Sequence, residues 1–182
     1  MGFIIPFEDT DVGFRQNIKA QALTLFETAL REVGGKKAEE YVVRSIMPGD
    51  DLGFTNNQWS ISYTAANAFE NKVNKLFDVD TFIVLFGYQN LSAIPKTIAF
   101  RIFRDTKPLA QIQVEELYIY NETPVGFFTP VVIKERETLK VDFMGNATGT
   151  DNPVLRGYVL EKKDVTVAGP TLNELLRVAK RR

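Results

Sequence analysis

Residues 124–143 read PVGFFTPVVIKERETLKVDF. Two runs of strand character, PVVIKE and TLKVDF, follow one another here with no room for a helix between them. Parallel strands need a crossover of a dozen residues or more, so this stretch points to antiparallel pairing. Within it, Pro124 and Pro130 fix φ and withdraw backbone donors, while Gly126 permits a turn, which predicts a strand-to-strand corner at Pro124–Ile133. Phe127 and Phe128 then point in opposite directions along extended chain, one toward the end of a core and the other toward a partner.

The same pattern extends in both directions. TFIVLFGY (81–88) is a continuous apolar run of strand length and reads as a central strand buried on both faces. TIAFRIF alternates Ile98, Phe100 and Ile102. PLAQIQVEELYIY alternates with a phase slip near Ala110 and a second shift across Glu115-Glu116, which predicts a bulge or break. QWSISYT, with Trp59, Ile61 and Tyr63 in phase, reads as a half-buried strand, and VLRGYVLE closes the series. The loop GNATGTD (145–151) lacks the phosphate-loop pattern and reads as a hairpin connection. YVVRSIM is β-branched but follows KKAEE, which favours helix, so its type stays open; it ends at the loop PGDDLG. About eight strand candidates separated by Gly, Pro, Asn and Asp clusters indicate an antiparallel sandwich or barrel.

Helical spacing is confined to three segments. Phe14, Ile18, Leu23, Phe26, Ala29, Leu30 and Val33 recur at three- to five-residue intervals and are followed by Gly34-Gly35, predicting a helix from roughly Phe14 to Val33. AANAFENKVNKLF places Ala66, Phe69, Val73, Leu76 and Phe77 at helical spacing and predicts a short helix between strands. In GPTLNELLRVAKRR, Thr171 and Glu174 form a capping box ahead of the apolar face Leu172, Leu175, Leu176 and Ala179. The expected organisation is an N-terminal arm and helix (1–40), a β-sandwich domain (41–168) and a C-terminal helix (169–182). Each amphipathic terminal helix must bury its apolar face, against its own sheet or against a neighbouring chain.

Composition narrows the chemistry. The chain has 22 Lys and Arg against 23 Asp and Glu, so no net field would hold it on a phosphate backbone or an anionic membrane. It contains neither cysteine nor histidine. Disulfides, thiolate nucleophiles, Ser-His-Asp triads and histidine-ligated metals are therefore excluded, and no side chain has an unperturbed pKa near neutrality. A non-enzymatic role without cofactor is expected. The start MGFIIPFEDTDVGF lacks a basic n-region and reads as no secretory signal, and no run of about 18 apolar residues suggests a membrane span.

The remaining polar clusters have modest readings. Asp50-Asp51 and Asp78 with Asp80 could offer oxygens to a hard cation, though aspartates in turns more often cap or form Asx turns. Glu115, Glu116, Glu135 and Glu137 supply paired carboxylates of the kind glycoside hydrolysis uses, against the alternative of an exposed charged strand face. Tyr118, Tyr120, Phe127 and Phe128 could line a carbohydrate or ligand groove.

The succession YVVRSIMPGDDLG, DTFIVLFGYQN, IAFRIFRDTK, EELYIYNETPVGFFTPVVIKERETLKVDF and NPVLRGYVLEK, over about residues 41–163, resembles the small jelly-roll proteins that build or decorate icosahedral virus capsids, particularly of phages. The resemblance implies a jelly roll of about eight strands and a virion structural role, as capsid or decorating (cement) protein, assembled in the host cytoplasm. Its implied partners are further copies of the chain, as a homo-oligomer such as a trimer, and other capsid proteins. Candidate interface residues are Phe14, Ile18, Phe26, Phe127, Phe128, Leu172, Leu175 and Leu176. The helical ends depart from the family pattern and leave open whether the chain tiles a shell or sits on it.

Overall fold

β5 (Thr81–Asn90) is the hub of the molecule. Phe82, Val84 and Phe86 face one apolar cluster, while Ile83, Leu85 and Tyr88 face another. A strand apolar on both faces needs a layer on each side, and the computed structural model, which describes residues 4–6, 12–119, 125–164 and 169–180, supplies both.

Two antiparallel sheets pack face to face. β1 (Ile4–Pro6), β8 (Val125–Ile133), β5, β11 (Pro153–Lys162) and β2 (Tyr41–Ser45) lie side by side in the first sheet. The second runs β4 (Phe69–Leu76), β9 (Thr138–Gly145), β6 (Thr97–Arg104) and β7 (Lys107–Gln113). A short pair, β3 (Ile61–Tyr63) with β10 (Gly149–Asp151), closes one end. Phe100 is central to the inter-sheet core, its ring 5.1 Å from Tyr88, 6.0 Å from Phe127 and 5.8 Å from Phe143.

Helices α1 (Val12–Val33) and α4 (Leu172–Lys180) cover the outer face of the first sheet and make a three-layer molecule. Ile18, Ala22, Phe26, Leu30, Leu172 and Leu176 pack there on Tyr41, Val43, Phe82 and Val84. Gly34 ends α1 at φ +83°, its N–H reaching the Leu30 carbonyl. α4 starts with the capping box: Thr171 N–H donates to Glu174 Oε2 at 2.9 Å, and Glu174 N–H to Thr171 Oγ1 at 3.3 Å.

Several expectations are corrected. AANAFENKVNKLF is not a helix; residues 69–76 form β4, paired with β9. The register shifts between Asn71 and Val73, so Lys72 is an extra residue that reverses the alternation: Val73 and Phe77 face the inter-sheet core, whereas Phe69 and Leu76 lie outside it, so the apolar residues that read as one helical face are divided between two faces of a strand. Arg101 then lies 3.8 Å over the Phe69 ring, a cation–π contact from the second sheet's own surface.

Glu115-Glu116 do not continue a strand. They open α3 (Glu115–Ile119), whose Leu117 is buried under the sandwich end; acidic side chains suit a helix start. PGDDLG is likewise a helical turn, α2 (Pro48–Leu52), closed by Gly53 at φ +79°. YVVRS resolves as strand β2, preceded by a single 3₁₀ turn over Ala38–Glu40. GNATGTD is no hairpin, since β10 pairs with β3 instead of returning along β9.

Nor is PVGFFTPVVI a corner. Val125–Ile133 is one strand, β8, which leaves β5 between Gly126 and Val131 and rejoins it. The Ile4–Pro6 segment pairs with Phe127–Val125 along the other edge, so the first sheet draws a strand from within residues 1–40. The phase slip near Ala110 corresponds to a bulge: Ala110 pairs with Ile102 and Pro108 with Phe103, leaving Leu109 over.

Candidate functional site

The acidic clusters are occupied by structural partners. Asp51, buried, accepts from the two terminal guanidinium nitrogens of Arg44 at 2.7 and 2.8 Å, and the same arginine bonds Glu161 through Nε and Nη2 at 2.6 and 3.0 Å. The hydrogen bonds that Arg44 donates to Asp51 lead, and those to Glu161 add to them, in raising the Arg44 pKa above its ordinary value. Asp50 pairs with Asn57, whose amide oxygen takes the Gly49 and Asp50 N–H groups at the start of α2. Asp80 accepts from Lys36 and from the Tyr41 hydroxyl, and Lys36 also reaches Glu135. Burial works against the Lys36 ammonium, but these carboxylates outweigh it and hold its pKa well above the usual value. Asp78 is exposed, and its backbone carbonyl takes the Thr81 N–H. Among the described residues no group of three or more potential acidic ligands comes together.

The four glutamates do not converge. Glu115 and Glu116 follow Val114, whose N–H bonds Ile98 at the beginning of β6. Glu137 sits 3.4 Å from Arg104 at the end of that strand, beside Glu135. β6 spans Thr97–Arg104, so the two pairs are about 23 Å apart at ~3.3 Å per residue. A carboxylate dyad needs its members within about a third of that.

The proposed aromatic groove is also dispersed. Phe127 is 3% exposed inside the sandwich, and Tyr118 hydrogen-bonds the buried Tyr88 hydroxyl at 2.6 Å. Tyr120 and the Phe128 side chain lie outside the described residues. Tyr88 and Tyr118 belong to a polar knot with Asn90, Asp151, Thr97 and Tyr63. Asp151 Oδ2 takes Asn90 Nδ2 at 2.8 Å and the Thr97 N–H at 2.7 Å. Burial pushes the three tyrosine hydroxyls upward in pKa. The knot ties the β3, β5, β6 and β10 ends together, with Asp151 Oδ1 buried and without a hydrogen-bond partner among the described residues.

Of the candidate interface residues, Ile18, Phe26, Leu172 and Leu176 are buried within their own chain. They can meet a second subunit only if the helices leave the sheet. Leu175 is half-buried, and the Phe14 side chain lies outside the described residues.

One recess has no counterpart in the expectations drawn from the sequence. The two helices cover the first sheet incompletely and leave two adjoining cavities on its outer face, of 680 and 750 Å³. Lys19, Ser45 and Tyr158 line both, so they form a continuous trough. One arm is bounded by Trp59, Phe86, Gln89 and Arg156; the other by Ala20, Leu23, Val43, Leu175 and Val178. Phe86 is there because of a bulge: Leu85 and Gly87 pair with consecutive residues Gly157 and Arg156 of β11, and the extra Phe86 is set against Tyr158, rings 4.9 Å apart. The pre-bulge alternation of TFIVLFGY and the glycine at position 87 were the only sequence signals of this.

No family model, curated protein or solved structure matches the chain. No described helix is long and apolar enough to cross a membrane.

Proposed function

We propose that the chain is a non-enzymatic structural protein of an icosahedral virus or phage particle, forming or decorating the shell through contacts between copies and with other shell proteins, and that its sandwich is a jelly roll. The strand order carries this reading. Leaving aside β1 and the β3–β10 pair, the sheets run β2-β11-β5-β8 and β4-β9-β6-β7. Every step along the chain crosses between sheets except the β6–β7 hairpin, an eight-stranded wrapping of the kind used by capsid jelly rolls.

Fold alone does not assign function. Two further features favour assembly over chemistry. The buried carboxylates described above are committed to arginine, lysine or backbone partners. Exposed apolar side chains stand at opposite ends of β5: Leu76 and Val79 before it, Leu91 and the 80%-exposed Ile94 after it. Unlike patches at opposite ends suit head-to-tail contacts between copies in a lattice.

The test is light scattering coupled to size exclusion over a wide concentration range, alone and with purified shells. Oligomers or shell binding, weakened by Ile94→Asp or Leu76→Asp without loss of fold, are expected. A strictly monomeric protein that ignores shells would sink the reading.

A further inference from the structure

The trough is apolar in its body and one-signed in its charge. Lys19, Arg44 and Arg156 are among its described lining residues, and none of those residues is acidic, in a chain whose total charges nearly balance. Arg44 is neutralised by Asp51 and Glu161. Arg156 bonds the neutral Gln89 amide oxygen, and among the described residues neither Arg156 nor Lys19 has a carboxylate partner. Lys19 thus stands at the junction of the arms, where Ser45 and Tyr158 add hydroxyls, and Arg156 lines the adjoining arm two residues from Tyr158 on β11. From that junction an aliphatic arm leads away along Ala20, Leu23, Val43 and Leu175.

We propose that this trough binds a small anionic amphiphile, its carboxylate between Lys19 and Arg156 and its hydrocarbon body in the aliphatic arm. Each arm falls in the size range of small-molecule sites, and the sign of the lining selects the head group. The bulge at Phe86 has a purpose on this reading, since it sets an aromatic floor beneath the head-group region. The proposal is independent of the assembly role.

Trp59 is the only tryptophan and lines the trough, so its emission reports occupancy. Decanoate, decanol and decylammonium, equal in chain length and differing in charge, are titrated below their aggregation thresholds, with calorimetry in parallel. Decanoate is expected to saturate the signal and bind more tightly than decanol, and decanol more tightly than decylammonium. Lys19→Ala and Arg156→Ala, both surface changes checked by thermal melts, are each expected to weaken decanoate about fivefold and leave decanol unchanged.

Equal affinity for the three probes, no saturable change, or indifference to both substitutions would overturn the proposal. So would decanoate entering only as oligomers dissociate, an outcome that assigns the trough to another copy of the chain.

Discussion

The Thr97 hydroxyl donates to Asp151 Oδ2 at 2.6 Å, tying the first residue of β6 to the last residue of β10 at one end of the sandwich. The same oxygen takes the Lys96 N–H at 3.0 Å. Asn90 Nδ2, at the end of β5, donates to that oxygen as well at 2.8 Å, so three segments distant in sequence are held by one carboxylate.

Burial by itself would raise the Asp151 pKa, but the neighbouring Ser92 hydroxyl and the hydrogen bonds from Thr97 and Asn90 outweigh it and hold the group below the ordinary carboxylate value. A depressed folded-state pKa contributes stability that is present above the unfolded value of about 3.9 and is lost as pH falls through the folded one. Asp151→Asn is therefore expected to cost about 3 kcal/mol at pH 7, with the gap to wild type narrowing toward pH 3. Urea unfolding at the two pH values measures this; a gap that does not change with pH would refute it.

Arg44 is the sole cation on the buried Asp51 among the described residues. Replacing it by Met strands that carboxylate and also frees Glu161, and a loss of about 3 kcal/mol is expected from chemical denaturation at neutral pH. Arg44→Met with Asp51→Leu should recover most of it; additive losses in the double variant would show that the pair is not coupled.

Phe127 sits against Phe100 in the inter-sheet core. Phe127→Ala should cost about 3–5 kcal/mol through the cavity it leaves. Its folded fraction should keep the wild-type oligomeric state by light scattering, whereas an altered state at full folding would return Phe127 to the interface.

The α4 cap is a local device with a local readout. Thr171→Ala should remove about 1 kcal/mol and speed amide exchange through Leu172–Lys180 more than in β5. Uniform acceleration across both would mean that α4 unfolds only with the whole chain.

Legibility followed the range of the interactions. The capping box at Thr171 and Glu174, the stop at Gly34 and the two-sided apolar run of β5 are set by residues within a few positions of one another, and they read directly. β4 did not, because a bulge at Lys72 changed its period, and bulges arise in pairing with a distant strand. Glu115-Glu116 misled for a related reason: Leu117 is pulled under the sandwich end, and the chain coils to reach it.

By itself, the sequence determined an antiparallel β-rich chain with amphipathic helices near its ends, and a composition without histidine or cysteine. The tertiary structure alone decided which charges meet. It set Arg44 between Asp51 and Glu161, pushed the glutamate pairs to opposite ends of β6, and put Phe127 inside. The trough belongs to that second class as well. It exists because two helices are too narrow to cover a five-stranded sheet, and spacing along one chain carries no record of the area left bare.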